Sequence, residues 1–157
     1  MMQTLCLPVY ETRIRTGRNG NPEIFDPIRK KFVRLTAEEW VRQHFLNFLT
    51  TVKNYPASLI TVEASLTYNR QLKRCDILVY GLNRNPLLVV ECKAPNVEIT
   101  QDVFDQVAMY NMTLTVEYLV VTNGMRHFAC KIDQQKKSYG FLRDVPGYQE
   151  ICTQINL

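Results

Sequence analysis

The run Lys73 to Pro95, KRCDILVY then GLNRNP then LLVVECKAP, decides the fold. Two apolar segments of strand length flank a turn of Gly, Asn and Pro, which is the pattern of an antiparallel hairpin. Symmetry about a centre near Asn83 sets Asp76 across from Glu91. Side chains alternate along a strand, so Glu91 and Lys93 share a face, and the cross-strand register brings Asp76 onto it. Two carboxylates and an ammonium converge at the end of a sheet otherwise built of Val, Leu and Ile. The same register sets Cys75 against Cys92 on the opposite side, as two small buried apolar residues.

Toward the N-terminus, LITVEASLTY from Leu59 to Tyr68 reads as the preceding strand, and Asn69 to Leu72 as its turn into the hairpin. A helix is predicted over about Ala37 to Val52. Thr36 is its cap, Glu39 completes a capping box, and Trp40, His44, Phe48 and Val52 form a stripe beside Val41, Phe45 and Leu49. Residues 1–34 read as a hairpin extension: PVYETRIR from Pro8 as one strand, TGRNGNP as the turn, and EIFDPIRKK as a return strand broken at Pro27. Toward the C-terminus, Thr100 caps a helix of about Gln101 to Met112, with Val103, Val107, Tyr110, Phe104 and Ala108 on its buried side. The run VEYLVVTN from Val116 follows, then an Asn123-Gly124 turn and a strand from His127 to Ile132. A strand reached through a helix is a candidate parallel partner of Leu87 to Cys92. Residues 133–137 read as a solvated turn, and Gly140 to Leu157 as one edge strand or irregular chain.

The order helix, three strands, helix, two strands specifies one mixed sheet with helices on its faces, in the α/β (α+β) class. At 157 residues, 46% of them hydrophobic and 22% charged, the chain has the size and composition of a single globular domain. The formal charge of +4 permits a polyanionic partner without identifying one. Five scattered cysteines, Cys6, Cys75, Cys92, Cys130 and Cys152, form no CxxC pair, which argues for a reducing compartment and against structural zinc. The start MMQTLCLPVYETR lacks the basic and apolar regions of a secretory signal, and no stretch stays apolar for the ~18 residues of a membrane span. A cytoplasmic protein without membrane contact is expected, in which the Asn111-Met112-Thr113 sequon is idle.

Asp76 with Glu91-Cys92-Lys93 resembles the signature of the PD-(D/E)XK nuclease superfamily, an acid on the second core strand and Glu-x-Lys on the third. FDPIRKKFVRLTAEEWVRQ at 25–43, RCD at 74–76, VVECKAP at 89–95, QDVFDQVAMYN at 101–111 and LVVTNG at 119–124 closely resemble the N-terminal domain of type I restriction enzyme R (motor) subunits and its stand-alone relatives. The resemblance spans roughly residues 8–132. It implies a restriction-endonuclease-like core in the order αβββαβ. The chain would be one domain over 1–157, with the core at 35–132 and a C-terminal extension at 133–157.

Carried position by position, the resemblance makes Asp76 and Glu91 ligands of Mg²⁺ or Mn²⁺, with the backbone carbonyl of Cys92 an additional ligand. Lys93 would position the attacking water or stabilise charge on phosphorus. Gln106 and Tyr110, four apart on one helix face, match the Gln-x-x-x-Tyr motif that follows the core. Glu63 and then Glu38 are candidates for a third carboxylate. The chemistry is consistent: phosphodiester hydrolysis needs positive charge on the non-bridging oxygens and an activated water, and a divalent ion on hard oxygen ligands supplies both. Cysteine replaces the proline of the superfamily name at Cys75, a change of small buried volume.

Arg29, Lys30, Lys31 and Arg34, with Arg13, Arg15 and Arg18 upstream and Arg70 and Arg74 near the site, are candidates for contact with DNA phosphates. No recognition helix or zinc finger points to sequence-specific reading. No phosphate-binding Gly-Lys-Thr loop of a helicase motor is present, so a separate motor or specificity protein, or a second copy in a homodimer, is an expected partner. The function expected is a metal-dependent nuclease acting on DNA, and the alternative is a catalytically silent DNA-binding or protein-interaction module of the same fold.

Overall fold

A computed structural model describes residues 2–68, 70–112 and 114–155. A six-stranded sheet runs in the order β4 (Ile60–Tyr68), β5 (Gln71–Tyr80), β6 (Pro86–Cys92), β7 (Tyr118–Thr122), β8 (His127–Asp133), β9 (Ser138–Phe141). Among the described residues only the β6–β7 pair of this sheet is parallel, joined by the crossover helix α2 (Gln101–Met112); the other pairs are antiparallel. The parallel pairing expected for Leu87 to Cys92 is therefore present. On the other face lies α1 (Ala37–Thr51), and α3 (Tyr148–Ile155) closes the described chain. Among the described residues no helix is long and apolar enough to cross a membrane.

The two faces of the sheet bury separate cores. Val41, Phe45, Leu46 and Leu49 of α1 pack on Ile60, Val62, Ile77, Val79, Leu88 and Val90, while Phe104 and Ala108 of α2 pack on Ala64, Cys75, Leu78, Val89 and Leu119. The α1 stripe is thus centred on Val41, Phe45 and Leu49, and Val52 is exposed. On α2, Asn111 rather than Tyr110 completes the buried side, with Asn111 Nδ2 donating to the Val107 carbonyl at 2.8 Å and Tyr110 44% exposed. Tyr110 was expected inward; the helix turns it to the edge, where its ring covers the Lys73 ammonium.

The N-terminal hairpin expected over 1–34 is instead a three-stranded sheet, β1 (Ile14–Thr16), β2 (Pro22–Asp26) and β3 (Lys31–Arg34). Asp26 is the reason the chain turns back at Pro27: its Oδ1 accepts the N–H of Ile28 and of Arg29, both at 2.8 Å. The C-terminal stretch also departs from expectation by forming α3 after β9. Glu150 accepts the Gly147 N–H at 2.6 Å at the helix start, and Ile151 is buried against the α1 face. Asn69, Thr113 of the sequon, and the last two residues of the tail lie outside the described residues.

One irregularity positions the site. Val62 pairs with Ile77 and Ala64 with Cys75, but Glu63 and Asp76 between them do not pair. Val62 and Ile77 belong to the α1 core, Ala64 and Cys75 to the α2 core. Residues two apart on a regular strand share a face, so both strands change face here. The cause is local: Glu63 has φ +51°, the left-handed region, which costs a non-glycine residue about 1–2 kcal/mol. The expected juxtaposition of Cys75 and Cys92 fails for this reason, since Cys92 lies in the α1 core.

Candidate functional site

The β5–β6 ladder runs Ile77↔Val90, Leu78↔Val89, Val79↔Leu88, so one step further the register sets Asp76 beside Glu91, as the symmetry of the hairpin predicts. The face change then decides what each carboxylate meets. Asp76 turns toward α1: its Oδ1 accepts Arg42 Nη2 at 2.6 Å and its Oδ2 accepts the Cys92 N–H at 2.7 Å. Arg42, its side chain 6% exposed, also bonds Glu39 through Nη1 and reaches Glu38 at 3.5 Å and Glu63 at 3.6 Å. Burial opposes its charge, yet Asp76 and Glu39 more than offset this and hold the guanidinium protonated.

A second guanidinium extends the cluster. Arg29 bonds Asp26 at 2.5 Å, Glu39 at 2.7 Å and Glu63 at 2.9 Å, and Gln43 Nε2 donates to both Asp26 and Glu39. Arg29, a candidate for contact with DNA phosphates, thus has its guanidinium engaged by three carboxylates and its side chain largely buried. Glu39 is not the return half of a capping box. Thr36 Oγ1 accepts the Glu39 N–H at 3.0 Å as predicted, but the Glu39 carboxylate is drawn into the two-arginine cluster.

Glu91 points the other way, into a shallow depression of about 320 Å³ that it lines with Arg74, Gln106, Val107 and Tyr110. Lys93 Nζ donates to Glu91 Oε1 at 3.1 Å. Burial, then repulsion from Asp76, still raises the Glu91 pKa above the ordinary carboxylate value. Lys93 loses from burial but gains more from Glu91, Asp76 and Glu38, so its ammonium is held charged. Glu38 is also pushed up, by burial and then by Asp76. Asp76, Glu91, Lys93 and Glu38 thus share one electrostatic field, while Glu63 joins it through the arginines. Gln106 and Tyr110 stand together as the i, i+4 spacing predicts. The Arg74 N–H donates to the Tyr110 hydroxyl at 3.3 Å, and buried Lys73 donates to the Tyr110 carbonyl at 2.8 Å with its ammonium 4.1 Å from the ring centroid. Lys30, Lys31, Arg34, Arg70 and Arg74 are exposed.

Arg42 is the residue that sequence reasoning missed. Its one signal was its place three and four residues after Glu39 and Glu38 on the helix, a spacing that an exposed ion-pair ladder also shows. The cation bears on metal fit. Magnesium demands near-octahedral oxygen coordination, and Asp76 already gives both oxygens to N–H donors. Among the described residues no group of three or more His, Cys, Asp or Glu side chains is placed to hold a metal ion. As arranged, these side chains do not fit a divalent cation while Arg42 stands on Asp76.

A model of the family described as type I restriction enzyme R protein N terminus matches residues 37–146 of the chain, from the start of α1 to the loop before α3. No curated protein matches. Among solved structures, the fragment of a putative HsdR subunit of a type I restriction enzyme from Vibrio vulnificus YJ016 is similar, with a TM-score of 0.53 and 22% identity. That match covers 77% of this chain and 25% of the other, so the chain spans a quarter of that structure's length, and at this identity the likeness speaks for the fold.

Proposed function

Because the chain belongs to the family of type I restriction enzyme R protein N termini, we propose that it is a DNA-associated module of restriction-endonuclease fold whose Asp76 centre is closed by a protein cation, so that it binds without cutting. The observation that carries this reading is the double engagement of Asp76, by Arg42 at 2.6 Å and by the Cys92 N–H at 2.7 Å. A buried, hydrogen-bonded arginine neutralises the carboxylates that a metal ion would otherwise have to neutralise. Arg13, Arg15, Arg18, Lys30, Lys31, Arg34, Arg70 and Arg74 are exposed cations able to meet phosphate, and a separate motor or specificity protein, or a second copy of this chain, supplies what one domain lacks.

The second reading is metal-dependent hydrolysis of DNA at the same place, with Asp76, Glu91 and the Cys92 carbonyl toward Mg²⁺ or Mn²⁺ and Lys93, Gln106 and Tyr110 toward the phosphate. The observation in its favour is the raised pKa of Glu91 under burial and repulsion from Asp76, an unfavourable field that added positive charge would relieve. It requires Arg42 to leave Asp76.

Duplex DNA binding, plasmid cleavage and Mn²⁺ calorimetry on the same preparation separate the two. Binding without cleavage or metal uptake is expected. Nicking with Mn²⁺ that Asp76→Asn abolishes would replace the first reading by the second, and failure to bind DNA would end both.

A further inference from the structure

The three-stranded N-terminal sheet has one face packed and one face open. On the inner side Ile24 is fully buried, with half-buried Val33 on one flank and Ile14, 49% exposed, on the other. The outer face carries two rows. Arg15, Glu23 and Arg34 are register partners across the three strands; Phe25 and Phe32 are partners in the next row, and the Phe25 N–H bonds the Arg13 carbonyl at 2.8 Å to bring Arg13 beside them. Arg13, Arg15 and Arg34 are exposed, and so is Arg18 in the β1–β2 turn. Arg15, Arg18 and Arg34 surround a depression of about 460 Å³ together with Asn19, Asn21 and Glu23. The face therefore holds four arginines against Glu23, with exposed Glu11 beside Arg13 and Phe25 at its margin, on a chain whose formal charge is only +4.

The aromatic rings fix these charges. The Arg13 guanidinium lies 4.2 Å from the Phe25 centroid, and that of Arg15 lies 3.9 Å from Phe32. Stacking of this kind lowers the entropy that an arginine loses on meeting an anion, and leaves its N–H edge for hydrogen bonds. Glu23 takes the Arg15 Nε donor at 2.8 Å, one of the five N–H groups of that guanidinium. With both rings covered by guanidinium, this is not a surface on which bases stack. It is a surface for phosphate oxygens.

We propose that the outer face of this β1–β3 sheet, through Arg13, Arg15, Arg18 and Arg34, is the surface that grips the phosphate backbone of duplex DNA. This rests on the DNA-associated reading above and locates its contact away from the Asp76 centre, in a segment that precedes residues 37–146. The contact is sequence-independent, so affinity falls steeply with salt.

The test compares two double variants of equal charge loss, Arg18→Gln/Arg34→Gln on this face and Lys136→Gln/Lys137→Gln in the β8–β9 turn, by fluorescence anisotropy on a 20-base-pair duplex across a salt series, with circular dichroism checking the fold. The first pair is expected to weaken binding at least about tenfold and to reduce the slope of log affinity against log salt by about 2, while the second changes affinity less than about twofold. Phe32→Leu, which keeps every charge but removes the ring under Arg15, is expected to weaken binding about threefold. Equal losses from the two double variants, or tighter binding of single-stranded than of duplex DNA, would overturn the assignment while leaving DNA association intact. If the unsubstituted protein binds no duplex, the underlying reading falls with it.

Discussion

Asp76 and Glu91 sit on neighbouring strands, one step beyond a shared ladder, yet their surroundings are opposite. Asp76 is closed in by Arg42 and a backbone N–H on the α1 side, within a cluster that also engages Arg29, Glu39, Glu63 and Asp26. Glu91 faces an open depression on the α2 side, with Lys93 as its cation and a pKa pushed upward by burial and by Asp76. The first carboxylate is held by two N–H donors, and the second has its charge disfavoured by burial and by Asp76, with Lys93 offsetting part of this. One backbone irregularity, at Glu63, separates the two.

The sharpest way to break this contrast is to remove the cation from the closed side. Arg42→Met removes the guanidinium from Asp76 and from buried Glu39, leaving Asp76 with the Cys92 N–H and Glu39 with Arg29 and Gln43, and is expected to cost about 3 kcal/mol in urea unfolding. Adding Asp76→Asn to it should recover part of that loss, a coupling that a purely steric role for Arg42 would not produce. Lys73→Met comes next. It removes a buried donor from the Tyr110 carbonyl and a cation from the Tyr110 ring, and is expected to cost about 1–3 kcal/mol by the same measurement.

Glu91→Gln should have a smaller effect of opposite sign. A carboxylate whose folded pKa is raised binds more protons folded than unfolded, so wild-type stability declines as pH rises from the ordinary value of 4.5 toward the raised one. The variant should lose that decline and match or exceed the wild type above the window; an unchanged pH profile would show that Glu91 is not under strain. Tyr110→Phe is expected to change stability least, by about 0.5–1 kcal/mol, since it removes the acceptor of the long Arg74 N–H bond at an exposed edge.

Much of this architecture was legible in the sequence because it depends on local pattern. Thr36 and Thr100 do cap α1 and α2, with the Thr100 hydroxyl accepting the Val103 N–H at 3.3 Å, and the apolar runs of β5, β6 and β7 set the strand order and the parallel pair. The helix α3 was not legible. Its eight residues form a turn or two that matter only because Ile151 finds the α1 core. Tyr110 misled because an aromatic at helical spacing reads as buried, whereas here the ring shields Lys73 from the edge.

The sequence by itself determined the fold class, the hairpin register that brings Asp76 beside Glu91, and the helix face shared by Gln106 and Tyr110, because strand alternation, turn chemistry and helical spacing act over a few residues. Only the tertiary structure decided that Arg29 and Arg42 turn inward, that Cys75 and Cys92 part to opposite cores, and that the carboxylate pair divides into a closed and an open member. These outcomes rest on charges from distant segments meeting in a low-dielectric interior and on one left-handed residue within a strand, neither of which leaves a periodic mark in the chain.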